Sequence, residues 1–461
     1  MIINQRLTVM QSIILHLDMN SYFASVLQQD NPEYRGKVLG VCEDLGGIII
    51  AASIEAKKWG IKTGTPVWEA KKLYPKIILT HTTAERFRFY TRRLIKLVSD
   101  YTDDVEVYSI DEVFLDITRT CNIRNPKFEC QISKSPPPSI PPLQGEGRGG
   151  VIDPFEEAIN ISLDIKRRMK TEVGDYLTCS IGIAENKTLA KIGSDIRKPD
   201  GLTIIQNAKC KTQNYNLKFK NNLFVLSKEN LYGRLKLTDV PGIGTRQEKN
   251  LNALGIHTLL DLKNCPKSHL VARFGRIQGH HLYNLGQLDS TWKADVHQDN
   301  EIKSIGHMYT LPKEFRKSEF FAPVLYKLCE MVGRRLRRKN LEGNVLHFFI
   351  YDRDYGGFGQ SLKLGDFVSD GRDVFLQAMI IFERLKLSGQ AFKLIGVTLA
   401  NLRSKSSQLS LFGHREKHLN LTRALDQIND KYGEFTIIRA PILAAGKVFR
   451  DSVGFGRVKE L

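Results

Sequence analysis

Residues 105–117 read VEVYSIDEVFLDI, two short apolar runs that meet at Asp111 and Glu112. Both runs have the texture of strands, and alternation places Val107, Ser109 and Asp111 on one side. Adjacent strand residues face opposite sides, so Asp111 and Glu112 can serve one site only if a turn or bulge lies there. Upstream, residues 12–17 (SIILHL) read as a short buried strand running into Asp18. Asn20 or Ser21 can cap a following helix in which Tyr22, Phe23, Val26 and Leu27 fall at helical spacing. Buried strands rarely end in unpaired carboxylates, because desolvating a charge is costly. Asp18, Asp111 and Glu112 on one site would repel one another unless a divalent cation neutralised them. Oxygen ligands without a nearby His/Cys set favour Mg²⁺, with Mn²⁺ as the alternative, over zinc. Two ions about 4 Å apart would suit in-line displacement at phosphorus. Any one of these acids alone reads as an ordinary turn residue; the set carries the signal.

Outward from this centre, residues 48–52 (IIIAA) read as another buried strand, and 55–59 and 67–73 as helices with Gly60, Gly64 and Pro66 between them. A long helix is expected over 84–99, with Phe87, Leu94, Ile95 and Val98 on one face and Arg86, Arg92, Arg93 and Lys96 on the other. Residues 134–150, KSPPPSIPPLQGEGRGG, are nearly empty of apolar side chains, so 121–152 reads as a flexible surface insertion. A helix over about 154–171 and a strand over 177–183 follow. Residues 207–230 read as a polar connector, 303–403 as a small α+β domain and 404–410 as a polar linker.

Three further segments bear on chemistry. In 178–205, TCSIGIAENKTLAKIGSDIRKPDGLTII, Lys187 and Lys191 are four apart on one helical face. A lysine near metal carboxylates could bind a triphosphate, although Lys191 by itself is an ordinary surface lysine. Residues 240–255, VPGIGTRQEKNLNALG, read helix, tight turn, helix. Gly242 and Gly244 would let the backbone approach an anion, and the next helix's N–H groups could hold a phosphate. The run MVGRRLRRKN holds Arg334, Arg335, Arg337 and Arg338, in a stretch (301–412) with 18 Lys and Arg against 11 Asp and Glu. A phosphate-contacting domain is the reading preferred over a solvated helix face.

The whole chain has 461 residues and a formal charge of +18, with 68 Lys and Arg against 50 Asp and Glu. Its length suggests roughly three domains, and its charge an anionic partner, nucleic acid before an anionic membrane. Seven scattered cysteines without a CxxC argue against a disulfide framework or a zinc site and fit a reducing cytosol. No apolar run approaches the ~20 residues that span a bilayer, and the first residues do not resemble a signal peptide. A cytoplasmic protein with no membrane partner is expected.

HLDMNSYFASV at 16–26, YSIDEVFLDIT at 108–118, SIGIAENKTLAKIGSDIRKPDG at 180–201 and VPGIG at 240–244 occur in that order. Together they closely resemble the Y-family translesion DNA polymerases, over roughly residues 13–412. The resemblance implies an α+β multidomain fold, a right-hand polymerase of palm, small fingers, helical thumb and α+β little finger. It implies palm at 1–19 and 81–198, fingers at 20–80, thumb with a helix-hairpin-helix at 199–298 and little finger at 299–403. It assigns Asp18, Asp111 and Glu112, with the Met19 carbonyl, to two Mg²⁺ ions. Tyr22, Phe23, Ser53, Lys57 and Lys191 fall to the nucleotide, with Phe23 as the ring that excludes a 2′-OH. Gly242, Gly244 and the four arginines fall to DNA. The fingers depart from the family pattern: Ile54 and Lys57 stand where a Tyr and an Arg are usual, so the bidentate fork is lost.

Residues 408–412, QLSLF, resemble the bacterial sliding-clamp-binding peptide, through Gln408, Leu409, Leu411 and Phe412, within a 404–413 linker. The segment 414–461 is similar to the C-terminal part of the UmuC-like branch and receives no chemical role. The expected activity is template-directed, error-prone translesion synthesis by a monomer acting on primer-template DNA and dNTP, tethered to the clamp. The alternative is a weak or inactive DNA- and clamp-binding scaffold. A helix-hairpin-helix nuclease is disfavoured, because the carboxylates lie far upstream of the hairpin.

Overall fold

The stretch around Asp111 resolves into a turn. In the computed structural model, β5 (Val105–Val107) and β6 (Glu112–Asp116) pair antiparallel, and residues 108–111 link them. The structure describes residues 12–42, 47–80, 84–122, 153–206, 223–289, 302–311, 315–317, 320–352, 356–387, 389–405 and 414–445. The proline-rich part of the expected insertion and the QLSLF peptide lie outside these residues.

The first strand, β1 (Ile14–Met19), lies between β6 and β7 (Cys179–Ala184), antiparallel to both. Two parallel neighbours, β8 (Leu202–Gln206) and β9 (Leu223–Ser227), extend the sheet, whose order is β5-β6-β1-β7-β8-β9. Every residue of β1 is buried, His16 and Asp18 among them, with Leu15, Leu17 and Met19 on one face and Ile14, His16 and Asp18 on the other. One face of the sheet packs on the helices Tyr22–Asp30, Ala84–Val98 and Pro154–Arg168 through Phe23, Phe87, Leu94, Val98, Phe155 and Ile159. Helix Lys187–Ile196 covers the other face with Leu189 and Ile192. That helix lies very close: a Cβ on Gly182 would overlap the Ala190 carbonyl oxygen.

The thumb boundary expected after residue 198 falls inside this sheet, and the connector expected at 207–230 contains β9 and the short helix Lys228–Tyr232. The apolar run Leu223–Leu226 continues the parallel ladder, so the thumb's own helices begin later. They are Thr245–Asn252, Leu259–Asn264 and Lys267–Gly286, the last broken at Gly275 (φ 79°).

The fingers hold a small sheet, β3-β2-β4, from Leu39–Val41 (β2), Ala51–Ala52 (β3) and Ile78–Thr80 (β4). Regular pairing in the expected 48–52 strand is confined to β3. Ile49 instead donates to the Thr65 carbonyl, and Ile48 makes one bridge to Pro66.

Gln298–Arg450 forms a second compact unit. Its sheet, β10-β13-β11-β12, is antiparallel throughout: β10 (Ser304–Thr310), β11 (Leu341–Tyr351), β12 (Gly357–Val368) and β13 (Leu394–Ser404). Leu346, Phe348, Ile350, Ile395, Val397 and Leu399 point to one face, buried under helices Ala322–Arg338 and Gly371–Arg384. The intervening residues Val345, His347 and Phe349 leave the other face half-open. Helix His414–Tyr432 and the turn Ala440–Ala445 belong to this unit.

Candidate active site and DNA-binding surfaces

Asp18 occupies the penultimate position of β1, opposite Glu112 on β6 and Ser180 on β7. Asp111 sits in the turn one residue earlier, and its carbonyl accepts from the Met19 N–H at 2.9 Å. The turn therefore lets consecutive acids serve one site, as the alternation required. The Ser109 hydroxyl donates to Asp111 Oδ1 at 2.5 Å and fixes that carboxylate.

Lysines face these acids. Lys191 Nζ lies 2.6 Å from Glu112 Oε1. Lys198 Nζ lies 2.7 Å from both Asp18 Oδ2 and Asp195 Oδ1. Even so, burial pushes Asp18 up to about 7, with Glu112 adding to the rise against the pull of Lys198. Burial, with Asp18 adding, also raises Asp111, against the Ser109 bond. Lys57 of the fingers is lowered by burial and by Lys198 and raised by Asp18, which places it within electrostatic reach of the cluster. His16 is fully buried beneath, bonded through Nδ1 to Ser194 Oγ at 2.7 Å. Burial, then Lys191 and Lys198, hold its imidazole well below the usual range.

Among the described residues no group of three His, Cys, Asp or Glu side chains is closed into a metal cage. Among the carboxylates, Glu112 pairs with Lys191 and Asp18 with Lys198, and Asp18 and Glu112 still lie close enough for each other's charge to be felt. Their donor chemistry nonetheless fits a hard divalent cation. They offer oxygen alone, and two of them are held above the ordinary carboxylate range, a cost that a divalent cation would remove.

Phe23 is buried on the helix that follows β1, its ring edge-on to Phe87 at 4.3 Å. The Tyr22 hydroxyl turns inward, donating to the Phe87 carbonyl at 2.7 Å. Ser53 is fully buried. Its Oγ accepts from Ala56 N and Leu39 N and donates to the Lys37 carbonyl. Tyr22 and Ser53, expected at the nucleotide, have hydroxyls committed to the protein, Ser53 as a helix cap. Lys198 was missed by sequence reasoning. The available signal was a lysine seven residues on from Lys191, just past the end of helix Lys187–Ile196.

A sequence model described as the impB/mucB/samB family matches residues 17–195, and that family's C-terminal domain model matches 302–411. A third, described as the DNA polymerase-iota thumb domain, matches 238–287. Among curated proteins, DNA polymerase IV of Moorella thermoacetica is 32% identical over 94% of this chain and 97% of its own. DNA polymerase IV of Pelotomaculum thermopropionicum is 30% identical over 96% of this chain and 99% of its own. The chain belongs to the Y-family DNA polymerases. Among solved structures, a Dbh-Dpo4 Y-family DNA polymerase chimera has the same fold, with TM-score 0.64 and 24% identity over 84% of this chain and 98% of its own. Palm, fingers, thumb and little finger are all represented.

In the Y-family thumb the expected tight turn and following helix are present, but the helix expected before the turn is only a three-residue 3₁₀ segment, Leu237–Asp239. Gly242 takes φ 103°, a conformation that L side chains resist, and a Cβ there would stand 3.2 Å from Leu285. Ile243 is buried, and Gly244 is the N-cap of Thr245–Asn252 with open space around it.

The arginine run differs from the expectation. Arg334 donates to Asp430 at 2.7 Å, and Arg337 grips Asp426 with both arms, at 2.6 and 2.8 Å. These arginine side chains are only 8% and 9% exposed. Arg338 pairs with Asp430 and Glu434, and Arg335 donates to the Gly306 carbonyl. Arg334 and Arg337 therefore hold the C-terminal segment and are not open to DNA. The sequence could not show this, because their partners lie some ninety residues downstream.

Proposed function

We propose that the chain is an error-prone translesion polymerase that adds a dNTP to a primer 3′-OH with release of pyrophosphate. The observation that carries this is the convergence of Asp18, Asp111 and Glu112 beside Lys191 and Lys198, within reach of the fingers' Lys57. The three acids and the Met19 carbonyl would hold two Mg²⁺ ions, with Mn²⁺ as the alternative. When bound, these ions supply charge neutralisation at phosphorus and a more acidic primer hydroxyl.

Lys198 and Lys57 are the residues for the triphosphate, and Lys191 orients Glu112. Lysine binds phosphate as a point charge, without the fork of the Arg usual at position 57, so nucleotide affinity should be modest. Phe23, buttressed by Phe87, sets the wall that a 2′-OH would strike. The backbone around Gly242 and Gly244 binds DNA phosphate without reading sequence. The half-open face of the little-finger sheet takes the DNA contact once expected of Arg334 and Arg337. Gln408, Leu409, Leu411 and Phe412 serve as the sliding-clamp ligand. Among the described residues no helix is long and apolar enough to cross a membrane. A monomer at work in the cytoplasm completes the proposal.

Primer extension on undamaged and abasic templates tests the reading, comparing wild type with the Asp111→Ala/Glu112→Ala pair. Extension by wild type alone is expected. No extension by either, with DNA still bound, would favour the scaffold instead.

A further inference from the structure

The C-terminal segment meets helix Ala322–Arg338 in two layers. The inner layer is deep. Arg337 holds Asp426, and Arg439 reaches Glu330 at 2.8 Å and Asp370 at 3.0 Å. The Thr422 hydroxyl donates to Asp370 at 2.6 Å, and Asn429 bonds the Ile437 backbone in both directions. Lys327 stands 4.7 Å from the centre of the Phe435 ring. These contacts seat the segment without help from the outer layer.

The outer layer is shallow. Arg338, Asp430 and Glu434 side chains are 48%, 50% and 43% exposed. Arg335, three residues before Arg338 on the same helix, is exposed too and donates to the Gly306 carbonyl rather than to an acid of the segment. Exposed ion pairs are weak, so exchanging the carboxylate on Arg338 for another anion costs little. Asp426 and Asp430 lie about one turn, or about 6 Å, apart along helix His414–Tyr432, and Glu434 follows just past its end, beyond Gly433 (φ 110°). Such a row of carboxylates presents an arginine helix with the same kind of charge as a phosphate backbone. Guanidinium binds either group with paired N–H bonds.

We propose that Arg335 and Arg338 form the rim of a polyanion-binding face whose resident occupants are Asp430 and Glu434 of the chain's own C-terminal segment. The segment thereby lowers the affinity of the second unit for a DNA backbone. Arg337 stays with the inner layer throughout, and the buried Arg334 keeps its own bond to Asp430. The inference rests on the DNA-binding part of the reading above, and no catalytic step enters its test.

The test is fluorescence anisotropy of a labelled blunt DNA duplex with the full chain, across a salt series and without dNTP. Asp430→Asn with Glu434→Gln should bind about 3–10-fold more tightly at low salt. Its slope of log K against log salt should steepen by about one, the change expected for one added phosphate contact. Adding Arg335→Gln and Arg338→Gln should cancel the gain. Unchanged affinity and slope would overturn the proposal, and so would a gain that survives removal of both arginines. If the double variant fails to fold, Glu434→Gln alone leaves the Arg334–Asp430 pair intact. A gain of about twofold, cancelled by Arg338→Gln, is then expected, and no gain overturns the proposal. Loss of primer extension with these binding results intact would count against the polymerase reading and not against this one.

Discussion

Two regions of the molecule set acids against basic side chains, and they do so with opposite results. In the palm, Asp18 and Asp111 remain above the ordinary carboxylate range despite the lysines beside them. In the second unit, Asp370 is buried as well, yet the Thr422 hydroxyl and Arg439 hold it below that range, and Arg338 and Arg334 hold Asp430 below it. Glu330 is the exception there, raised by burial against Arg439. The difference lies in exposure and in the number of partners. Asp430 is half exposed and little desolvated, and Asp370 accepts from the Thr422 hydroxyl, the Arg372 N–H and Arg439, whereas for the deeply buried Asp18 the pull of Lys198 does not offset desolvation. Carboxylates that their own protein leaves under-compensated mark a functional site; well-matched ones mark structure.

The largest effect that separates the two regions is Asp18→Ala. It should lower single-turnover primer extension by about a thousandfold, the loss of several kcal/mol of charge stabilisation. Binding of a blunt duplex should stay within about twofold, since backbone contacts carry that affinity. Comparable loss of both would show that Asp18 is structural. Next, Lys198→Ala should raise the KM for dNTP about tenfold or more, for the loss of one charged hydrogen bond, with Lys57→Ala having the smaller effect. Equal effects of Lys191→Ala and Lys198→Ala on KM would undo the division of roles between them.

On the structural side, Arg337→Ala removes one partner of a buried pair. It should destabilise the second unit by about 3 kcal/mol in denaturant unfolding, without changing KM for dNTP. The smallest expected effect is on pH. Asp370 and Asp430 titrate below their unfolded values, so the stability they contribute is whole above the ordinary carboxylate range. It is lost as pH falls through their folded values. The Asp370→Asn variant should show a shallower loss of thermal stability on acidification than wild type. An identical acid limb would mean that Asp370 is not matched as described.

The palm was readable from sequence for a physical reason. Asp18 and the Asp111–Glu112 pair end apolar strands, where burial makes an acid conspicuous, and the turn that both acids needed is present. Phe23 stood out less, since its spacing equally suits a core helix residue, and it is indeed buried against Phe87. Lys198 gave little signal because it lies past the end of its helix, in an otherwise polar turn. Ser53 and the arginine run misled in the same way. A serine hydroxyl or a guanidinium shows its chemistry in the sequence but not its partner. The partners are a helix N-terminus in one case and Asp426, Asp430 and Glu434 in the other. The β8–β9 ladder was hidden because a parallel strand needs a distant neighbour to define it.

The central claim is that the under-compensated palm carboxylates form a divalent-cation site. Its most direct test is a Mn²⁺ titration followed by electron paramagnetic resonance, on the full chain with primer-template and a non-hydrolysable dNTP. The wild type should hold two tightly bound ions, and Asp18→Asn with Glu112→Gln should lose both, while Asp426→Asn in the second unit changes nothing. Equal Mn²⁺ binding by wild type and the palm variant would contradict the account.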